Sequence, residues 1–425
     1  MTSMAPPRKT DPPASPLVHV PRAWLVGAVV LLTIPWGIVG ALYLRGSDQP
    51  VEAPTATVTE GPTAQAKPGP WGRLSVTPII VSPPLEYVAA DWGRLDDTYR
   101  WYFPGADADV VRAFLASTGM APDHVTRLVS RAQGDSRIRG TTIQPDLDVV
   151  KALSPDVRAR VYLKLAMSPL NADQGNSFRF FGTVEQWFAG ARISPQTRQF
   201  VEPLIYRNGD TLHFADAALV RAEIDDPAER QRLAKTLLRQ STMLVRLSVT
   251  QDAEIPALVQ YWGRGGRSTD IRPLLESVAG ASEAGFIDIV HLLPAFARNR
   301  LYRYPRLTTA DLEKPLLANC LWSSLNFFTA EPDDTFLDVN RALTSLRQDY
   351  HIVEADHQLG DIIAFLDAEG DLYHVVVYLA DDLVFTKNGM SPVSPWTIMP
   401  LQLVKDYYRA HSDDPRLIYH RRNDF

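Results

Sequence analysis

One cysteine, Cys320, stands among 425 residues, and the chemistry this chain could do starts from it. Around it Leu321, Trp322, Leu325 and Phe328 recur at the spacing of one helix face. A helix that begins near Asn319 puts the Cys320 sulfur in its first turn, where unpaired N–H groups and the positive dipole end favour thiolate. His374 follows 54 positions later, at the head of His-Val-Val-Val-Tyr-Leu, a run too short and too β-branched for a helix. An imidazole carried to the sulfur by the fold could take its proton, giving a thiolate–imidazolium pair that attacks a carbonyl carbon. A third polar group must then hold the imidazole tautomer. The next strand offers Thr386, Lys387 and Asn388. Asn388 can accept from a ring N–H through its amide oxygen, Thr386 can do so more weakly, and a charged Lys387 cannot accept. The competing reading is a small buried thiol beside an unrelated histidine.

Other residues have side chains suited to a site. His213, Glu283, Asp288 and His291 are possible metal ligands by type, but their spacing matches no ligand pattern, so surface or capping roles are expected. Tyr261-Trp262-Gly263-Arg264-Gly265-Gly266-Arg267 lacks the strand–loop–helix context of a phosphate loop and reads as a surface loop whose aromatic pair packs inward. His351 and His357 fall in a loop, His411 and His420 in a charged tail, and each is expected to be solvated. No metal or organic cofactor is implied. A formal net charge of −6 gives no reason to expect nucleic acid as a partner.

The elements that must position Cys320 and His374 come late in the chain. Residues 1–22 are proline-rich, with Arg8, Lys9 and Arg22 against Asp11, and read as a disordered cytoplasmic tail. Residues 23–44 carry no charge and are long enough to cross a bilayer, with Trp24 and Tyr43 near the interfaces. Residues 45–70 read as a flexible Pro/Thr-rich linker. Residues 71–310 show helix punctuation at Ser154-Pro155, Ser194-Pro195 and a capping-box pattern from Asp226 to Glu229, and are expected to form a mostly α-helical domain of unknown role. Residues 311–425 turn from helices to a meander of antiparallel strands, an α+β pattern. With the tail inside, the body faces the periplasm or the outside of the cell, and no disulfide can form within it.

The order of features in residues 311–425 resembles the NlpC-type peptidases, papain-like enzymes that hydrolyse amide bonds in the peptide stems of peptidoglycan. The likeness rests on a cysteine at a helix start, then Gly360-Asp361-Ile362-Ile363-Ala364-Phe365, then the His374 run and a short turn into a polar-ended strand. It covers about a quarter of the chain and is densest before Thr386. It implies a helix packed on an antiparallel sheet, with Cys320 as nucleophile, His374 as general base, and the backbone N–H of Cys320 helping to hold the oxyanion. The third residue falls among Thr386 to Asn388, where the family often has a histidine, and Asn388 fits best. The family's Asp-Cys-Ser-Gly is replaced here by Asn319-Cys320-Leu321-Trp322, an indole where a glycine lets helix and sheet approach. The expected protein is thus a membrane-anchored, envelope-facing hydrolase acting on peptidoglycan or peptides, its helical region positioning substrate or docking another envelope protein. The alternatives are an inactive papain-like scaffold and the same chemistry on a lipid or thioester.

Overall fold

The computed structural model describes residues 63–88, 99–137, 139–281, 285–305, 317–389, 394–409 and 411–425. Apolar residues at Leu74, Val76, Ile79 and Val81 build a long strand, β2 (Arg73–Val81), with the short β1 (Ala64–Gln65) antiparallel on its edge. Pro78 lies beyond the reach of β1, as a residue without an N–H requires. The chain then leaves this sheet and makes β3 (Trp101–Phe103), β4 (Ala132–Asp135), β5 (Gly140–Ile143), β6 (Phe178–Phe181), β7 (Tyr206–Asn208) and β8 (Thr211–Phe214). These form two antiparallel sheets, β3-β5-β4 and β6-β8-β7. With the helices between them they enclose a core around Trp101, Leu128, Tyr162, Trp187, Phe214 and Leu233. The chain returns as β9 (Gln240–Val249), which pairs with β2 from Arg73↔Ser248 to Val81↔Gln240, and β10 (Gly285–Asp288) completes the first sheet.

Helix starts inside the excursion follow the sequence punctuation. Ser154 and Ser194 each precede a proline, and their hydroxyls accept from the N–H groups of Val157 and Thr197. Asp226 caps the helix Pro227–Leu237 by accepting from Ala228. Glu229 does not close the expected capping box; its carboxylate accepts from the Ser194 N–H at 2.6 Å and so ties two helix starts together.

The last third forms β11 (Tyr350–Val353), β12 (Ile362–Leu366), β13 (Leu372–Ala380), β14 (Leu383–Lys387), β15 (Trp396–Pro400) and β16 (Arg416–Arg422). They make one antiparallel sheet in the order β11-β16-β12-β13-β14-β15. On one face Val377, Leu379, Phe385 and Trp396 share a core with Val245, Leu247, Trp262, Phe296 and Trp322. On the other, Phe365, Val376, Tyr378 and Met399 pack under Val404 and Tyr408 of the helix Leu401–Tyr407 and its end.

This architecture corrects the expected one. The region 71–310 is not mostly helical: it carries three antiparallel sheets, and its β9, β10 and helix Ile255–Trp262 share a core with the C-terminal sheet. The stretch from Ile287 to Ala297 is the end of β10, a 3-10 turn and the start of the helix Ala295–Arg300. Residues 64–70, counted with the linker, are docked: β1 pairs with β2, and Lys67 N–H donates to Asp381 at 2.8 Å. The membrane helix placed at 23–44 lies outside the described residues. Among these no helix is long and apolar enough to cross a membrane.

Gly360-Asp361 is a structural device. Gly360 has φ +92°, and a Cβ there would meet Phe328 ring carbons at 2.0 and 2.4 Å. Asp361 receives two hydrogen bonds from Arg421, at 2.9 and 2.8 Å, and a third from the Gln358 N–H at 2.8 Å, fixing β16 against β12. Gly360→Ala is therefore expected to destabilise the fold by about 2–4 kcal/mol, from overpacking plus a left-handed backbone. Urea unfolding of the two proteins checks this.

Candidate functional site

The helix Cys320–Leu325 is six residues long and capped by Asn319, whose amide oxygen accepts from the Trp322 N–H at 2.9 Å. Cys320 is its first residue. The N–H groups of Val375, Leu321 and Cys320 itself face the sulfur and, with the Lys387 ammonium, favour the thiolate. Burial outweighs them and pushes the thiol above its ordinary range. Burial of the sulfur thus works against the expected thiolate, although the residue as a whole is half-buried.

His374 heads the regular part of β13, just after a register shift opposite Phe365. Its Nε2 lies 3.1 Å from Thr386 Oγ1, and Thr386 donates its hydroxyl to Asn388 Oδ1 at 3.1 Å. Asn388 in turn donates through its amide nitrogen to the Met399 sulfur at 3.2 Å. Thr386 has a single hydroxyl hydrogen, spent on Asn388, so it must accept from the ring. That assigns Nε2 as protonated and leaves the lone pair on Nδ1. The third group of the sequence reading is therefore a chain of two, with Thr386 touching the ring and Asn388 orienting Thr386. Tyr408 stacks on the imidazole at 4.1 Å. Burial, with a smaller contribution from His411, holds His374 down to about 3.

Strand alternation keeps the thiol and the ring apart. Val375 packs with Leu321 and Leu325 beneath the cysteine helix, whereas Val376 and Tyr378 pack with Tyr408 on the far side. His374 shares the parity of Val376, so ring and thiol approach the sheet from opposite sides. No hydrogen bond joins them among the described residues. The group that shares the cysteine's side is Lys387, with its ammonium 5.5 Å from the Trp396 ring and 3.0 Å from the Gly389 carbonyl oxygen. Trp396 donates its indole N–H to Ser323 of the cysteine helix at 2.9 Å. Sequence reasoning set Lys387 aside as a non-acceptor. Its signal was parity, since period two groups it with Leu383 and Phe385, inward-facing positions where a lysine is out of place.

Trp322, which replaces the family's glycine, packs edge-on to Phe296 at 5.1 Å and donates to Asp334 at 3.2 Å. Tyr261 and Trp262 end a helix and turn inward, donating to the Leu379 and Trp71 carbonyls at 2.6 and 3.0 Å.

Among the weaker candidates, no cluster of three metal-ligating side chains exists among the described residues. Asp288 caps a 3-10 turn and His291 is exposed, while Glu283 lies outside the described residues. His213 is buried against Ser177 at 2.9 Å, and His420 is buried on β16, so neither is the surface residue expected. His351 lies on β11 rather than in a loop, His357 stacks on Tyr419 at 3.6 Å, and His411 stacks on Tyr373 at 5.3 Å.

The buried histidines predict acid sensitivity. Burial lowers His374 to about 3 and His420 to about 4. The unfolded chain, with histidines near 6.5, then binds more protons over the window between, so stability is complete above about pH 6.5 and falls as pH drops. By pH 5 each histidine has cost about 2 kcal/mol. Urea midpoints at pH 7.5 and 5 measure the loss, which should shrink by about 2 kcal/mol in His374→Phe.

Comparison with protein-family models, with curated proteins and with solved structures found no match to this chain.

Proposed function

We propose that the chain is a cysteine hydrolase that cuts an amide bond through Cys320 and His374, with peptidoglycan stem peptides as its substrate class. The observation that carries this reading is the relay His374–Thr386–Asn388, which leaves Nδ1 as the basic nitrogen of a ring held in place. In the reaction Nδ1 takes the thiol proton and the sulfur attacks the carbonyl carbon. The imidazolium then gives its proton to the leaving amine, and water hydrolyses the thioester. The N–H groups around Cys320 are the donors available to the developing charge. Since ring and thiol now reach the sheet from opposite sides, the reading requires that substrate binding bring them together. The substrate class rests on the likeness of the Cys320, Gly360-Asp361 and His374 segments to NlpC-type peptidases.

The test incubates the full chain and its Cys320→Ala variant with purified peptidoglycan and with soluble stem peptides, followed by mass spectrometry. Fragments made by the wild type alone support the hydrolase and name the bond. A second reading, an inactive papain-like scaffold, draws on one observation: among the described residues the Cys320 thiol has no hydrogen bond to His374. An absence of fragments, together with a thiol that resists alkylation near neutral pH, would favour it.

A further inference from the structure

We propose that Arg179 is a positioning residue for His374, acting from the excursion between β2 and β9 through the Tyr407–Tyr408 peptide. The inference rests on the hydrolase reading, in which His374 is the base, and gives that excursion a part in the chemistry. Period two in β6 sends Phe180 into the core around Trp101 and Trp187. It turns Arg179 and Phe181 the other way, to where helix Leu401–Tyr407 ends. There the Arg179 guanidinium spans two carbonyls, donating from Nη1 to Tyr407 at 2.8 Å and from Nη2 to Gly175 at 2.9 Å. It also lies over the Tyr407 ring at 4.3 Å, and Phe181 packs beside that ring at 6.3 Å.

The Tyr407 carbonyl belongs to the planar peptide that joins Tyr407 to Tyr408. It is also among the last carbonyls of the helix, which have no partner within it. The helix holds the other edge of that peptide with a divided bond: the Tyr408 N–H is shared between the Val404 and Lys405 carbonyls, at 3.2 and 3.1 Å. The bond from Arg179 therefore fixes the plane, and with it the direction in which Tyr408 leaves the helix. Tyr408 then stacks on the His374 ring at 4.1 Å, with 29° between the planes. The next residue is strapped as well. Arg409 donates to Asp406 at 2.5 Å, and its guanidinium stands 3.0 Å from where a Cβ on Gly209 would lie, in the turn between β7 and β8. Strand β9 holds β6 in turn, through Gln240 donating to the Arg179 carbonyl at 3.3 Å and Ser241 donating to that of Phe181. Direct contacts thus run from β9 through Arg179 and Tyr408 to the base. Thr386 selects the tautomer of His374, and Arg179 sets the surface on which its ring rests.

The experiment records the His374 ring protons by NMR in the full chain, for the wild type, Arg179→Met and a control, Arg160→Met. The control removes an arginine of the same excursion that donates to the Thr118 carbonyl instead, at 2.9 Å. Stacking on Tyr408 displaces the His374 protons upfield in the wild type. Arg179→Met should lose most of that displacement, and Arg160→Met should keep it. Wild-type positions in Arg179→Met, or the same loss in both variants, would overturn the proposal. If Arg179→Met does not fold, Arg179→Lys decides, because an ammonium reaches one carbonyl where the guanidinium holds two. His374 should then move the same way by less, and wild-type positions would overturn the proposal. On stem peptides Arg179→Met should lower kcat about tenfold with KM little changed, the mark of a displaced base rather than of lost substrate binding. The NMR comparison involves no turnover, so a wild type that cleaves nothing counts against the hydrolase and is seen separately from the positioning.

Discussion

His374→Gln is expected to lower amide cleavage by about 10²–10⁴-fold, the contribution of a positioned general base. The ring is held by a hydrogen bond from Nε2 to Thr386 at 3.1 Å and by stacking on Tyr408 at 4.1 Å, which leaves Nδ1 as its accepting nitrogen. Glutamine is similar in length and can still bond Thr386, but its amide cannot take a proton. Thr386→Val should cause a smaller loss, because the ring keeps its stacking and loses the acceptor that selects its tautomer. Asn388→Ala should cost less again, since Asn388 acts through Thr386. Initial rates on stem peptides, with unfolding measured alongside, check the series. Equal rates for the wild type and His374→Gln would remove His374 from the mechanism.

Asp216→Ala is expected to destabilise the chain by about 3–5 kcal/mol, the cost of leaving a buried charge without its partner. Arg158 and Asp216 are both fully buried, joined at 2.5 Å. Arg158 also donates to Tyr162 at 3.1 Å and to the Val150 carbonyl at 2.7 Å, and Tyr162 donates to Asp216. The network joins helix Pro155–Ala166 to the start of helix Ala217–Glu223 at the centre of the inserted module. Removing both charges in Arg158→Met/Asp216→Leu should recover most of the loss, because no ion is then left unpaired. A double-mutant cycle by urea unfolding tests this, and additive losses would contradict it. The same region reaches the His374 side of the sheet, where Phe181 packs in the core of Tyr408 and Arg179 donates to the Tyr407 carbonyl at 2.8 Å, so unfolding is measured before any change in activity is read.

What could be read from the sequence was local. Ser154-Pro155 and Ser194-Pro195 mark helix starts through a hydroxyl and a missing N–H, and both operate in the fold. The strands around Ile362, Val376 and Val384 show in their β-branched runs between turn residues. Long-range pairing left no such trace. Nothing near Leu74 tells that β2 will meet β9, beyond an excursion that builds its own core. Strand β9 and Phe296 share a core with Phe385 and Trp396, far along the chain.

The site shows the same limit. A cysteine at a helix start and a histidine at a strand start are visible in one dimension, but the side of the sheet each reaches is not. Parity along His374 to Leu379 held part of the answer, because Val375 and Val377 take the helix-facing positions. The register shift beside Phe365, which sets where that parity begins, has no sequence mark. Thr386, Lys387 and Asn388 were ranked by chemistry alone, and the fold divides them by direction. Burial of His213 and His420 was also hidden, since each depends on strands brought together from afar.

A covalent bond at Cys320 is the central step of the proposed chemistry. The most direct measurement is intact-mass spectrometry of the full chain, acid-quenched at short times after mixing with peptidoglycan stem peptides. The account predicts a transient mass increase equal to one acyl fragment, mapped to Cys320 and absent in Cys320→Ala. Peptide cleavage without any adduct, or with the alanine variant equally active, would contradict it.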